Sequence, residues 1–600
     1  MSPLTGTKIL KGMSRIPSKL LLCLLSLSFC FALDEYPKQG WVDDYNPIAN
    51  PEAEPGGEIK LFGSQFPKSF NYYLDTNTLS RSIFLQMFET LLTSHPVTLE
   101  DEPGIARRWT LSDDKRIFTF YLDPEAKWSD GKPITAYDVE WTFNALLDPK
   151  NMTGPHKISL ERFHPPKVID DLTIQFEARE VHWRNLSAIS GFLILPKHDW
   201  QDKDFNKINF EFPVISGPYQ IAEIKENISV TLQRRSDWWF GATKRAQGTN
   251  NFATIQYRFY SERDTAYEAF KKGEIDLFAV YTSHRWIKNT SDDIFKQNWV
   301  VKQVIYNKKP MGFQGFAINM RRPKFQDIRV RKALAHLLDR EKMNRTLMYN
   351  QYALQSSVFE DLYDSEHPNR NPRFNFDKTK ARQLLKEAGW VVNPETLLLE
   401  KDGQPFKIKF LTNSPTSDKF LVIYKEDLAD VGIELTIDKK DWVGWANDMD
   451  EFNYDMTWAA WAGGSPDRDP ESLWHSREAD RPSGNNLTGL KDERVDALIE
   501  RQKSIFDRAQ RNAILREIDQ IVCSAVPYIL LWYNDHDRLL YWNKFGTPDT
   551  VLDKYGGEFA ALSYWWSDPD SEADLEFARK QDEALAPKDY KIVFDERFQP

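Results

Sequence analysis

A chain of 600 residues is too long for one hydrophobic core, since single domains usually hold about 100–200 residues. Its 41% hydrophobic and 28% charged residues are those of a folded globular protein and exclude long disorder. A net charge of −11 with no basic stripe excludes nucleic acid as the expected partner, because phosphate neutralisation dominates that affinity.

Residues 1–32 read as a signal peptide. Lys11, Arg15 and Lys19 precede an uncharged run from Leu20 to Leu33, shorter than the ~20 apolar residues a spanning helix needs, and Ala32 offers a small residue at the cleavage position. Met13 is an alternative start. Phe29 and Leu22 stand before Cys30 and Cys23, where a lipid-anchored chain needs a small residue. Loss of the leader removes four basic side chains, takes the net charge to −15 and leaves Cys523 as the single cysteine. That cysteine sits on a helical apolar pattern and reads as a small buried hydrophobe.

Residues 33–56 are polar and proline-rich and read as a mobile arm. A strand is expected at Ile59–Phe62 and a helix over Ser82–Leu92. Ile117–Leu122 is strand-like, and Thr135 with Asp138 forms a capping box before the helical face Val139, Phe143 and Leu146. A helix from Asp264 should stop at Gly273 before the strand Ile275–Phe278. Phe316–Asn319 reads as a buried strand; Asp327 and Asp339 then cap successive helices, the first with Val330, Leu334, Leu337 and Leu338 on one face. Asp377 opens another helix. Trp442, Trp445, Trp458, Trp461 and Trp474 surround a glycine- and proline-rich loop, which suits a pocket wall. Two helices follow over Val495–Val522, with Asp507 as the cap between them and Pro527 as the stop. This alternation predicts an α/β fold.

No Gly-x-Ser-x-Gly, His-Glu-x-x-His or phosphate-loop pattern is present. His536, between Asp535 and Asp537, reads as a solvated loop or edge residue rather than a metal ligand. No cofactor and no metal are expected. Carboxylates among tryptophans keep one other class open, a carbohydrate-active hydrolase.

Several blocks resemble one family. These are GFQGFAINMRRPKFQDIRVRKALAHLLDREKMNRTLMYNQY from Gly312, the Trp109 to Asp114 segment followed by Trp128-Ser-Asp-Gly-Lys-Pro-Ile-Thr-Ala-x-Asp-Val, Ser216-Gly-Pro-Tyr219, and Arg234-Arg-Ser-Asp-Trp-Trp239. Together they resemble the extracellular solute-binding proteins of the dipeptide, oligopeptide and nickel class of ABC importers, closest to the oligopeptide and microcin C-binding branch.

The resemblance implies a periplasmic binding protein-like α/β fold (type II, three-lobed large cluster) with a ligand cleft between two closing lobes. Lobe I would be 57–89, 211–312 and 527–600, lobe II 90–210, and lobe III 313–526. It further implies a non-catalytic periplasmic monomer that captures oligopeptides or peptide conjugates for an ABC permease in the inner membrane, with opine-like or sugar-conjugate solutes as the alternative. The residues carried over as ligand-binding are Gln314, Asn319, Asn413, Trp445, Trp458, Trp461, Gly464, Asp467, Arg468 and Asp469. Dipeptide and oligopeptide binders place an aspartate three residues after the pocket tryptophan. Here Ala462-Gly463-Gly464 follows Trp461, so Asp467 or Asp469 is expected to meet the ligand amino terminus, with Arg468 meeting a carboxylate or neutralising one of the pair. No arginine lies in Thr412–Asp418 to clamp the far end of a dipeptide, which favours longer or conjugated peptides.

Overall fold

The computed structural model describes residues 33–599, apart from residues 40, 42 and 76, so the expected signal peptide lies outside the described residues. Three large sheets organise the chain. The first is antiparallel, in the order Leu33–Tyr36, Ala106–Ser112, Ile117–Leu122, Thr173–Glu177, Lys167–Asp170. The second has eight strands gathered from distant stretches: Lys591–Val593, Val300–Tyr306, Asp537–Trp542, Leu277–Ala279, Gly56–Gly63, Phe252–Phe259, Ser229–Arg234 and Tyr219–Lys225. The third runs Glu434–Lys439, Lys407–Thr412, Met456–Trp461, Phe313–Ile318, Tyr528–Leu530.

Phe313–Ile318 lies between two partners, with Phe316 opposite both Trp458 and Ile529. A strand covered on both faces needs an apolar run rather than alternation, which is what Phe316-Ala317-Ile318 supplies. The helix Ile328–His336 begins where the Asp327 carboxylate accepts the Arg329 N–H at 2.9 Å. Asp339 caps Arg340–Leu347 through the Lys342 N–H, Asp377 caps Lys378–Glu387 through Lys380, and Asp507 caps Arg508–Ala525 through Gln510. Val330, Leu334, Leu337 and Leu338 are all buried and pack with Phe316, Ile318 and Phe410 into one core. Asp138 holds the start of Ala136–Leu147 by accepting the Thr135 N–H at 2.8 Å.

The structure corrects three expectations. Residues 33–56 are docked, not mobile: Leu33–Tyr36 pairs with Ala106–Ser112, Tyr36 stacks on Trp109 at 5.5 Å, and Ile48 is buried. Four residues are too few to show a strand period, and composition alone suggested an arm. The helix expected over Ser82–Leu92 is Thr78–Phe84, capped by Asn77, and Leu92 already begins a strand. The return expected at 527 comes later, because Tyr528–Leu530 still pairs with Phe313–Ile318 and Asp537–Trp542 is the strand that rejoins the eight-stranded sheet.

The chain thus crosses between the second and third sheets twice, at residues 307–312 and again between Leu530 and Asp537. The first crossing lies against the loop that follows Met456–Trp461. A Cβ on Gly463 would stand 1.8 Å from the Pro310 carbonyl oxygen, whereas one on Gly464 meets nothing within 4 Å, although Gly464 has φ +66°. Gly463→Ala should therefore cost about 3 kcal/mol, the upper range for a methyl forced into packed backbone. Gly464→Ala should cost about 1 kcal/mol, for left-handed strain alone. Urea midpoints of the two variants check this, and equal losses would contradict it.

Candidate functional site

The strands Lys407–Thr412 and Met456–Trp461 run parallel, and their carboxyl ends point to where the two crossings lie. Ligands of α/β sheets gather outside the carboxyl ends of strands. A cavity of ≈ 980 Å³ occupies this place, with Lys309 to Gln314 from one crossing and Trp532 to Arg538 from the other in its wall. Asp361, Tyr363, Trp461 and Arg468 close one side, and Leu99 and Tyr555 reach in from elsewhere. A second chamber of ≈ 510 Å³ adjoins it, sharing Gln314, Ala460 and Trp532. Gln314 forms part of the partition: its amide donates to the Trp532 carbonyl at 2.9 Å and accepts the Trp458 indole N–H at 3.1 Å.

Of the residues singled out in the sequence, Gln314, Trp461 and Arg468 line the larger cavity, and Gln314, Asn413, Trp445 and Trp458 line the smaller. Gly464, Asp467 and Asp469 line neither. Asn319 is displaced from the site altogether: it is 1% exposed, and its amide donates to the Phe452 and Tyr454 carbonyls at 3.1 and 2.9 Å, pinning the turn before Met456–Trp461. His536 sits in the partly exposed bend just before the strand Asp537–Trp542. Its Nδ1 bonds Asp535 at 2.8 Å, and the side chain belongs to the cavity wall.

The loop charges are already matched within the protein. Asp467 accepts from Arg508 at 2.8 and 3.0 Å and also from Arg511. Burial opposes ionisation there, but the hydrogen bonds from Arg508 and the charges of Arg508 and Arg511 outweigh it, so the carboxyl lies below its usual range. Arg468 bonds Asp361. Asp469 reaches Arg184 at 3.4 Å and lies 3.9 Å from the His182 Nε2.

His182, Asp469 and Glu471 place their ligand atoms within 4.8 Å of one another, but they do not fit a metal ion. The His182 Nδ1 accepts the Arg184 N–H at 3.0 Å, so the ring proton sits on Nε2, which then has no lone pair to offer. Burial, followed by the charge of Arg162, lowers this imidazole to about 4 and keeps it neutral.

Opposite the crossings, the body built on the first sheet touches the body built on the third. The Trp183 indole donates to Gln502 at 2.7 Å, its backbone N–H donates to the Lys503 carbonyl at 2.9 Å, and the Arg511 guanidinium lies 4.1 Å above its ring. Arg508 also donates to the Thr98 carbonyl at 3.3 Å. Trp183, Trp532, Lys309, Asp361 and Asp537 were missed in the sequence. Only the acidic run Glu360-Asp361 and the tail tryptophan offered a signal.

Asp467→Asn tests the neutralised-loop geometry. A depressed folded pKa contributes stability that is present above the unfolded carboxylate pKa of ~4 and lost as pH falls through the folded value. The variant should be less stable by about 2 kcal/mol at pH 7, with the deficit fading below about pH 4 in denaturant titrations. A deficit that persists undiminished at pH 3 would contradict the pairing.

Comparison with known proteins agrees with this architecture. Residues 100–481 match the family model of the bacterial extracellular solute-binding proteins, family 5 (Middle). The chain is 30% identical over 570 residues to a probable peptide-binding protein, YejA, of Agrobacterium fabrum, covering 87% of this chain and 91% of that one. Among solved structures it resembles the oligopeptide-binding protein AppA of Bacillus subtilis in complex with a nonapeptide, with TM-score 0.66, 21% identity, and coverage of 86% and 100%. It also resembles the periplasmic binding protein DppA of Helicobacter pylori in complex with the peptide STSA, with TM-score 0.67, 18% identity, and coverage of 86% and 99%. At those identities the two structures report a shared fold. With nearly two thirds of its length matched by the family model, the chain belongs to the bacterial extracellular solute-binding proteins, family 5.

Proposed function

We propose that the protein is the substrate-binding component of an ABC importer, which captures oligopeptides or peptide conjugates in the periplasm and delivers them, as a monomer, to an inner-membrane permease. The observation that carries this reading is the position of the ≈ 980 Å³ cavity, walled by both crossings, with Leu99 on one side and Arg508 and Asn512 on the other. A ligand there touches both sides of the cleft, so it favours the closed arrangement by its differential contacts. In this reading the eight-stranded body is lobe I, the first sheet's body lobe II and the third sheet's body lobe III. The peptide named for the Agrobacterium relative supports the ligand class.

The smaller chamber favours conjugates as a second reading. Trp445, Trp458, Trp532, Phe420 and Tyr352 surround it with apolar faces, Asn413 and Thr412 add polar atoms, Lys419 at the exposed edge is its cation, and among the described residues no acid lines it. Such a wall suits an uncharged ring-bearing substituent and rejects a lysine side chain, which would be desolvated without a partner. A glycosidase reading finds less support, because Asp361 and Asp537 are salt-bridged to Arg468 and Lys309 rather than left to flank a scissile bond.

The test is a thermal-shift panel on the purified chain, with peptides of two to ten residues, glycosylated peptides, opines and free sugars. A peptide or conjugate at a hundredfold its Kd should stabilise the protein by about 2.7 kcal/mol. Shifts from free sugars or opines alone would contradict the peptide reading.

A further inference from the structure

On the peptide reading, a ligand cation needs an acidic partner in the cavity, and the loop 356–371 holds a better one than the 461–469 loop. Of the acids that line the larger cavity, Asp361 meets Arg468 and Asp537 meets Lys309, while Asp535, half exposed to solvent, accepts from the Nδ1 of His536, an imidazole whose Nε2 accepts from Arg538 at 3.2 Å. Glu360 lines the same cavity and, among the described residues, forms no ion pair with a basic side chain.

Its two oxygens are unequal. Oε1 accepts the N–H groups of Ser356 and Ser357, the latter at 2.9 Å, and the Ser356 hydroxyl at 3.2 Å. Oε2 is reached by the Asn369 amide alone, at 3.5 Å. The carboxylate is therefore oriented by one oxygen and leaves the other for a further donor.

Among the described residues, no basic side chain behind it hydrogen-bonds to the carboxylate. Asp519, fully buried, accepts from the Ser357 hydroxyl at 2.9 Å, the Val358 N–H at 2.8 Å and the Tyr363 hydroxyl at 2.6 Å, all of them neutral donors. The Arg340 guanidinium is the cation whose charge interacts with Glu360, but it makes no hydrogen bond to that carboxylate and donates instead to the carbonyls of Gln355 and Leu530 at 2.7 and 2.8 Å. Burial, with a smaller contribution from the charge of Asp519, raises the Glu360 carboxyl. Glu360 and Tyr533 of the second crossing line the same cavity, and burial, then the charges of Glu360 and Asp535, push the Tyr533 hydroxyl up to about 12.

A carboxylate without an ion pair in a closing cavity is desolvated at a cost unless the ligand brings the opposite charge. We propose that Glu360 is the specificity-determining residue that accepts a primary ammonium of the peptide ligand through Oε2, in place of the neutralised Asp467 and Asp469. The source of the ammonium is either the amino terminus or a lysine side chain.

Isothermal titration of the full chain with three probes decides it: pentaalanine, N-acetyl-pentaalanine, and an N-acetylated pentapeptide with a central lysine. The wild type should bind one of the two amine-bearing probes about thirtyfold or more tighter than N-acetyl-pentaalanine. Pentaalanine in that position identifies the amino terminus, and the lysine probe identifies the side chain. Glu360→Gln keeps the acceptor for Ser356 and Ser357 and should bring that ratio close to one, while Asp467→Asn should leave it unchanged.

A ratio that survives in Glu360→Gln, or is absent from a wild type that binds the probes, overturns the proposal alone. Binding of none of the three by the wild type overturns the peptide reading with it. Should Glu360→Gln fail to fold, a crystal structure of the wild type with the tighter probe decides instead. Its ammonium within hydrogen-bond distance of Glu360 supports the proposal, and its ammonium at Asp467 or Asp469 overturns it.

Discussion

Two crossings between sheets, held side by side, are the constraint on which the rest of this structure depends. The Lys309 ammonium, on the first crossing, donates to Asp537 on the second at 2.9 Å. Burial raises the Asp537 carboxyl, against which the charge of Lys309 and its hydrogen bond act, so the pair ties the two segments together from a half-exposed lysine to a mostly buried carboxylate. Space for it is kept by Gly557, where a Cβ would come within 2.6 Å of the Lys309 nitrogen. Two segments pinned in this way can flex together, and whatever lies against them lies on the axis of that motion.

The position of the cavity follows. The carboxyl ends of Lys407–Thr412 and Met456–Trp461 bring Asn413 and Trp461 to the same end of the third sheet that Gln314 occupies, and the crossings complete the wall. Charge is then distributed so that most of the wall is self-compensated. Asp467 with Arg508 and Arg511, Asp361 with Arg468, and Asp469 with Arg184 fix the loops to one another. Such pairs hold the loops behind and beside the wall and leave little charge for a ligand to meet, which is why Glu360, without an ion pair among the described residues, carries weight in the proposed selectivity.

Helix starts were legible in the sequence because they are local. Asp327, Asp339, Asp377 and Asp507 each cap within three residues of their own position, so no distant information is needed. The resemblance carried the fold further than periodicity did. Sheet membership of Leu33–Tyr36 and Tyr528–Leu530 depended on partners far along the chain, and both were misassigned. The tryptophans were half legible: Trp445, Trp458 and Trp461 reach the chambers, while Trp474 is 1% exposed in a core. The fate of Asp467 could not be read at all, since its partners lie 41 and 44 residues on and face it only once the helix that carries both has folded and packed. Glu360 was overlooked for the opposite reason: its loop has no periodic pattern, and its significance lies in the lack of an ion pair among the described residues, which only the assembled cavity reveals.

On the proposed reading, capture requires that a peptide draw the first sheet's body towards the third about the paired crossings. Spin labels at the exposed positions Lys167 and Arg501 report that separation, and the native Cys523 is buried away from the labelling reagent. Pulsed electron paramagnetic resonance distances, measured with and without a peptide that binds, test it most directly. Saturating peptide should shift the distribution to shorter, narrower distances, in keeping with Trp183 held by Gln502 and Lys503. Identical distributions in the two conditions would contradict closure about the crossings.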